Sequence, residues 1–209
     1  MSDLKKKHHA STKPIRGITG FILAGGKSTR YGSNKAMAEV DGQRLIERVV
    51  TVVESVFEHL VLITNTPEEY AYLHIPMIQD IIKGLGPLGG IYTGLENLSD
   101  DAGFFVACDM PFLNAPLIRH MAQVRGQFDA VVPKIDWMLE PLHAIYTKGC
   151  LPALKALIDS QQYQIWRFFE KIAVRFLEED EIRVFDPSLR SFFNINRPEE
   201  LARSMEFRG

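Results

Sequence analysis

Thirteen residues, Leu23-Ala24-Gly25-Gly26-Lys27-Ser28-Thr29-Arg30-Tyr31-Gly32-Ser33-Asn34-Lys35, gather the groups that bind an anion. They hold three glycines, three cationic side chains and three serine or threonine hydroxyls. Glycine lets backbone N–H groups approach a bound oxyanion closely. Lysine and arginine add charge-assisted contacts to the same group. The short apolar run Ile18 to Leu23 leads straight into this stretch and reads as a buried strand. A nucleotide-phosphate site at the end of the first strand is the chemistry expected.

Two better-known phosphate motifs do not fit this loop. Gly20 and Gly25 have Walker A spacing, but Gly26 stands where that motif needs lysine, and Phe21 to Ala24 reads as strand. No G-x-G-x-x-G is read in the chain either, so a dinucleotide fingerprint is not expected.

The rest of the chain supplies elements to position such a loop. Leu45, Ile46, Val49, Val50, Val53, Val56 and Phe57 recur at helical spacing. Leu60 to Thr64 reads as a second strand, followed by a helix capped by Thr66 with Pro67 in its first turn. Ile75 to Gln79 gives a third strand ending at Asp80, then a glycine loop from Gly84 to Gly90 and a helix beginning near Ile91. Phe104 to Cys108 is a fourth strand that ends at Asp109, and Asn114 caps the next helix. Strands follow over 129–133, 142–147, 173–177 and 192–196. Helical patterns fall around Leu151 to Ile158, around Ile165 to Phe169, and from Pro198 onward.

This alternation predicts an α/β fold of one domain: a Rossmann-like mixed, mostly parallel sheet flanked by helices. Residues 1–16 are expected as a disordered basic tail and 17–209 as the domain. Ligands of open α/β sheets sit outside the carboxyl ends of the strands. Gly25 onward, Asp80 onward and Asp109 are the polar strand ends that converge there.

Composition sets the outer bounds. The formal net charge of −2 over 209 residues gives no basic field for nucleic acid. No apolar run reaches membrane-spanning length, and the basic N-terminal segment lacks the apolar core of a secretory signal. Two cysteines, Cys108 and Cys150, suggest neither a disulfide framework nor a zinc site. A cytoplasmic protein is the expectation.

The loop from Leu23 to Lys35 resembles the signature L-A-G-G-x-S-x-R-M-G-x-D-K of the molybdenum cofactor guanylyltransferases. These are nucleotidyltransferases with the nucleotide-diphospho-sugar transferase fold. Tyr31 and Asn34 depart from it, standing where Met and Asp are usual. The resemblance continues through Gly86-Pro87-Leu88-Gly89-Gly90-Ile91, Cys108-Asp109-Met110-Pro111-Phe112-Leu113, Pro141-Leu142-His143-Ala144-Ile145-Tyr146 and Asn194-Ile195-Asn196-Arg197-Pro198-Glu199.

The resemblance implies transfer of GMP from GTP to molybdenum-molybdopterin, giving the guanine dinucleotide cofactor and pyrophosphate. Mg2+ is the implied cofactor, and it prefers one or two carboxylates plus water and phosphate oxygens. Asp109 would hold that metal; its other reading is a turn cap before Met110-Pro111. Arg30, Lys35 and Asp109 form the implied catalytic set, with Lys35 on the α-phosphate or pyrophosphate and Arg30 on the outer phosphates. Leu23, Ala24, Gly25, Gly26, Lys35, Asn65, Asp80 and Asp109 would contact GTP. For Asn65 and Asp80, a plain role in turns is the alternative. Asn194 and Asn196 would face the pterin, or else serve as turn and cap residues before Pro198. Partners would be the two substrates and, transiently, proteins that deliver molybdopterin or take the finished cofactor.

Three other functions compete. A cytidylyltransferase for the same cofactor tends to carry Ala where this chain has Gly25. A sugar-phosphate nucleotidyltransferase is similarly disfavoured. A non-catalytic nucleotide-binding module would not need Arg30, Lys35 and Asp109 together.

Overall fold

A computed structural model describes residues 13–25, 35–40 and 42–195. In chain order the elements are β1 (Ile15–Leu23), β2 (Glu39–Val40), β3 (Gln43–Arg44), α1 (Leu45–Val56), β4 (Phe57–Ile63), α2 (Pro67–Tyr70), β5 (Met77–Ile78) and α3 (Pro87–Glu96). Then come β6 (Ala102–Ala107), α4 (Ala115–Val124), β7 (Ala130–Ile135), β8 (Met138–Leu139), β9 (His143–Thr147), α5 (Leu151–Asp159), β10 (Val174–Leu177) and α6 (Glu179–Arg183). Short 3-10 turns occupy Lys35–Met37, Ala71–Leu73, Lys148–Cys150, Ile165–Lys171 and Arg190–Phe192.

The main sheet has the order β10-β7-β9-β6-β1-β4-β5, with β8 paired to β7. β4 and β6 flank β1 in parallel, β5 is parallel to β4, and β10 is parallel to β7. Only β9 runs against both its sheet neighbours, β6 and β7. The carboxyl ends of β1, β4, β5, β6 and β7 therefore share one edge. The chain leaves β1 toward β4 and β5, then returns to its other side as β6. That reversal makes the gap between β1 and β6 the topological switch point, where α/β sheets bind ligands.

Side-chain alternation divides the core between the two faces of the sheet. Ile18, Ile22, Phe104 and Val106 face the helices α1 and α4, meeting Ile46, Val49, Val53, Leu117, Ile118 and Met121. Phe21, Leu23 and Phe105 face α3 and α5, meeting Leu88, Ile91, Leu95 and Leu154. A fully buried side chain of this size contributes roughly 1.5–3 kcal/mol, so both faces are firmly held. No helix among the described residues is long and apolar enough to cross a membrane.

Several boundaries differ from the sequence expectations. β1 begins at Ile15, inside the segment expected as tail, and Ile15 pairs with Phe57 while Arg16 Nε meets Glu58 at 3.0 Å. Phe57 opens β4 rather than closing α1: its backbone is already extended (φ −116°), so the helix passes into the strand without a loop. The third strand shrinks to Met77–Ile78.

Gly89 and Gly90 lie within α3, not in a loop before it. A Cβ on Gly90 would sit 2.5 Å from Leu23, and one on Gly94 would sit 2.4 Å from Phe105. The glycines let α3 lie directly on the sheet. Glycine patterns that read as loop signals from the sequence are here a packing surface. Finally, Phe192 to Ile195 is not a strand: a 3-10 turn ends at Phe192 and the chain continues irregularly. Its aromatic and β-branched composition serves burial without a ladder.

Candidate functional site

At the β1 tip, Ala24 donates its N–H to the Ile63 carbonyl at 2.9 Å, and Leu23 accepts from Cys108 N–H at 3.1 Å. These bonds extend the sheet by one step and fix the ends of β4, β1 and β6 against one another. Gly25 follows, exposed, and a Cβ there would meet no atom of the described residues within 4 Å. Gly26 and Arg30, with Tyr31 and Asn34, lie outside the described residues. Lys35 enters as the first residue of the turn Lys35–Met37.

On one flank of β1, Asn65 and Asp80 meet. Asn65 Nδ2 donates to Asp80 Oδ2 at 2.6 Å, and Asp80 N–H donates to Asn65 Oδ1 at 3.3 Å. The sequence names both residues; the structure adds that they bind each other, which no spacing could reveal at a separation of 15 positions. The next N–H, that of Ile81, donates to Thr93 Oγ1 at 3.0 Å. Thr93 is fully buried on α3 and was missed, because a helical threonine reads as unremarkable in sequence. Thr64 Oγ1 accepts the N–H of Thr66 at 3.2 Å, while the Thr66 side chain forms no cap on α2. The expected Thr66 side-chain cap is thus absent; the Thr66 carbonyl instead accepts the N–H of Glu69 at 3.1 Å.

α3 begins at this same edge. Its first residue is Pro87, preceded by Gly86 at φ +58°. Gly84, Gly86 and Gly89 do have the spacing G-x-G-x-x-G, contrary to the expectation that the chain carries none. It follows the two-residue edge strand β5 at a distance, and β5 and β6 are not neighbours in the sheet. That context is not the compact βαβ unit of a dinucleotide site. The helix N-terminus nevertheless points its positive end at the strand tips.

On the other flank, Asp109 lies in the turn past β6, two residues beyond the strand's end at Ala107, whereas the sequence predicts a strand running to Cys108. It is half-buried, and its Oδ1 is buried. Its carbonyl accepts the N–H of Ile195 at 3.0 Å. Ile195 packs against Leu45 at the start of α1. Arg190 stands 4.6 Å over the Phe112 ring, and Phe112 is 6.3 Å from Phe193. The segment from Arg190 to Ile195 therefore clasps the Asp109 turn and brings half-buried Asn194 beside it. Asn196 lies outside the described residues.

Asp186 holds that clasp in shape. Its carboxylate accepts the N–H groups of Arg190 at 3.2 Å and Ser191 at 2.7 Å. Asp186 is buried, and sequence reasoning passed over it; an aspartate four or five residues before a turn is its only trace. Beneath, His143 is fully buried between Phe104 at 5.4 Å and Phe192 at 4.8 Å. Burial lowers its pKa to about 4, opposed by the Asp186 carboxylate and the Ser191 backbone. This is a core histidine and not a metal ligand, as the apolar pattern around it suggests. Glu140, between β8 and β9, has its pKa raised by burial. Phe168 and Phe169 are core, while Trp166 is exposed.

Cys150 is buried with its thiol pKa pushed up to about 12 by burial, so it stays protonated. Among the described residues no three metal-ligating side chains cluster. A single carboxylate with substrate oxygens is a donor set that suits magnesium rather than zinc.

A family model described as "MobA-like NTP transferase domain" matches residues 20–176. The chain is 36% identical over 189 residues to a molybdenum cofactor guanylyltransferase from Desulfosudis oleivorans, covering 90% of this chain and 94% of that one. A molybdenum cofactor guanylyltransferase from Syntrophotalea carbinolica is 32% identical, over 88% and 89% of the two chains. The crystal structure of molybdopterin-guanine dinucleotide biosynthesis protein A from Archaeoglobus fulgidus superposes with a TM-score of 0.78 at 29% identity, over 90% of this chain and 97% of that one. A 4-diphosphocytidyl-2C-methyl-D-erythritol synthase from Anaerococcus prevotii shares the fold at 14% identity, with a TM-score of 0.65 over 91% and 95% of the chains. The sheet is that of the nucleotide-diphospho-sugar transferase fold.

Proposed function

The chain belongs to the MobA-like NTP transferase family and is a nucleotidyltransferase, and on that premise we propose that it transfers GMP from GTP to the terminal phosphate of molybdenum-molybdopterin. An oxygen of that phosphate bonds to the α-phosphorus of GTP while the bond to the β-phosphate bridging oxygen breaks, and pyrophosphate leaves. The observation that carries this reading is the placement of polar groups on both flanks of β1: the Asn65–Asp80 pair on one side and Asp109 on the other.

The nucleoside lies on the Asn65–Asp80 flank, with the backbone of Leu23, Ala24, Gly25 and Gly26 against it. The reciprocal hydrogen bonds hold the amide and carboxylate ready before GTP arrives, which limits the ordering lost on binding. Lys35 and Arg30 neutralise the phosphates. Both reactants are anions, so positioning and charge neutralisation supply most of the acceleration. A divalent ion, for which magnesium is our assignment, would be held by Asp109; when bound it offsets charge on the phosphate oxygens. The clasp keeps the Asp109 turn and Asn194 together, and Asn194 and Asn196 face the acceptor.

Guanine is favoured over cytosine by Gly25 and by the Gly86-Pro87-Leu88 helix start, together with the names of the relatives. Two free cysteines fit a reducing cytoplasm. The test is a purified reaction with Mg2+ and molybdenum-molybdopterin, supplied with GTP or CTP. Guanine dinucleotide and pyrophosphate are expected from GTP alone; product from CTP and none from GTP refutes the proposal.

A further inference from the structure

We infer that Trp137, at the tip of the β7–β8 hairpin, stacks on the fused pterin ring system of the acceptor. This rests on the guanylyl-transfer reading above and adds a residue that recognises the second substrate.

Trp137 is 82% exposed, the most exposed of the large hydrophobic residues among those described, and neighbouring Met138 is exposed as well. Among the described residues no ring or cation covers the indole, whereas Trp166 is covered by Arg167 at 5.0 Å. A mobile loop could carry such a residue passively, but this hairpin is pinned. Lys134 Nζ lies 3.3 Å from Glu178, the N–H of Asp136 donates to Glu179 Oε2 at 3.1 Å, and the N–H of Glu140 donates to the Pro133 carbonyl at 3.0 Å. The turn residue Asp136 sits at φ +52°, a conformation the pinned turn imposes. A large aromatic held out by a fixed turn loses little freedom on binding.

The register places this hairpin beside the site. Val106 is paired with His143 across β6 and β9. Val131 is paired with Ile145 across β7 and β9, and two further steps bring Pro133 level with His143. Val106 and Pro133 thus stand level, two strand spacings apart, roughly 10 Å. Asp109 is three residues beyond Val106, and Asp136 is three beyond Pro133. The hairpin tip and the Asp109 turn accordingly rise from the same edge to a similar height.

The acceptor has a phosphate at one end and a planar heterocycle at the other. Its phosphate must reach the α-phosphorus near Asp109. The nucleoside occupies the β4–β5 flank, so the ring system must extend over β9 and β7, where Trp137 stands. Stacking on an exposed indole suits a flat, polar heterocycle better than an aliphatic ligand.

The experiment uses the full chain with Trp166→Phe, which leaves Trp137 as the single tryptophan. Anaerobic titration with molybdopterin should quench its emission saturably. In steady state, Trp137→Ala should raise the KM for molybdenum-molybdopterin roughly 10-fold, the size of a lost stacking contact, with kcat and the KM for GTP unchanged. Trp137→Phe, which keeps a ring, should restore most of that loss. Unquenched emission, or an unchanged pterin KM in Trp137→Ala, overturns the assignment; loss of cofactor hand-over with an unchanged pterin KM would make the hairpin a protein-docking site instead. Absence of any GMP transfer by the wild-type chain refutes the guanylyl-transfer reading, while the fluorescence titration still decides whether Trp137 meets the ring.

Discussion

The two flanks of β1 are built by different means. The β4–β5 flank is set by hydrogen bonds between polar side chains and nearby backbone: Asn65 with Asp80, and Thr93 with Ile81. The β6–β9 flank is set by packing and by a chain segment from far away, with Asp186, His143 and Phe192 holding the clasp on Asp109. The first arrangement is a hydrogen-bonded socket, the one we propose for the nucleoside. The second stakes the position of a metal-side carboxylate on tertiary docking, so its geometry should respond to conditions that loosen the C-terminal segment.

The largest effect should come from the residue at the junction. Asp109→Asn keeps size and hydrogen bonding but removes the charge that would hold the divalent ion. We expect kcat to fall by about 10³-fold, equivalent to about 4 kcal/mol, with folding intact by circular dichroism. Turnover within a few-fold of wild type would remove Asp109 from the mechanism.

Acid should loosen the β6–β9 flank first. The folded pKa of His143, about 4, lies below the ordinary histidine value near 6.5, because burial disfavours the cation. Between those values the unfolded chain binds the extra proton, so stability is full above about pH 6.5 and declines as pH falls toward 4. The loss at pH 4.5 should be roughly 2–3 kcal/mol. His143→Phe, next to Phe104 and Phe192, should abolish that part of the acid sensitivity. Urea midpoints at pH 7.5 and 4.5 for both proteins give the comparison, and equal acid losses would contradict it.

Asn65→Ala should break the other flank alone. It leaves Asp80 without its amide partner, at a cost of roughly 1–3 kcal/mol. The KM for GTP should rise about 10- to 100-fold while the KM for molybdenum-molybdopterin stays constant. A change in both would mean that the flanks are not independent.

The smallest effect is expected from a residue that touches neither substrate. Asn114 caps α4 through its Oδ1, which accepts Leu117 N–H at 2.9 Å, and its Nδ2 donates to the Phe185 carbonyl at 2.9 Å. Asn114→Ala should cost about 1 kcal/mol of stability and leave both KM values unchanged, as thermal melts and steady-state assays would show.

The same division explains what could be read from the sequence. Local rules found the Asn114 cap, the amphipathic α1 and the polar strand ends at Gly25, Asp80 and Asp109. Each depends on residues close together in the chain. Long-range docking is invisible to such rules. Phe192 to Ile195 looks like a strand because aromatic and β-branched residues suit one, yet one hydrogen bond to Asp109 and burial against Leu45 are what place it. Gly89 and Gly90 look like a loop because nothing in the sequence says that Leu23 will press against Gly90, or Leu85 and the Ile82 carbonyl against Gly89. The hairpin at β8 and the short α6 escaped notice because two and five residues carry too little periodicity.

In our proposal β1 separates a nucleoside flank, with Asn65 and Asp80, from an acceptor flank that carries Asp109. A crystal structure with GTP and Mg2+ tests it most directly. We expect guanine and ribose against Asn65 and Asp80, with the α-phosphate directed toward Asp109 and the β7–β8 hairpin left free. A nucleoside bound instead over the hairpin, with its phosphates turned away from Asp109, would contradict it.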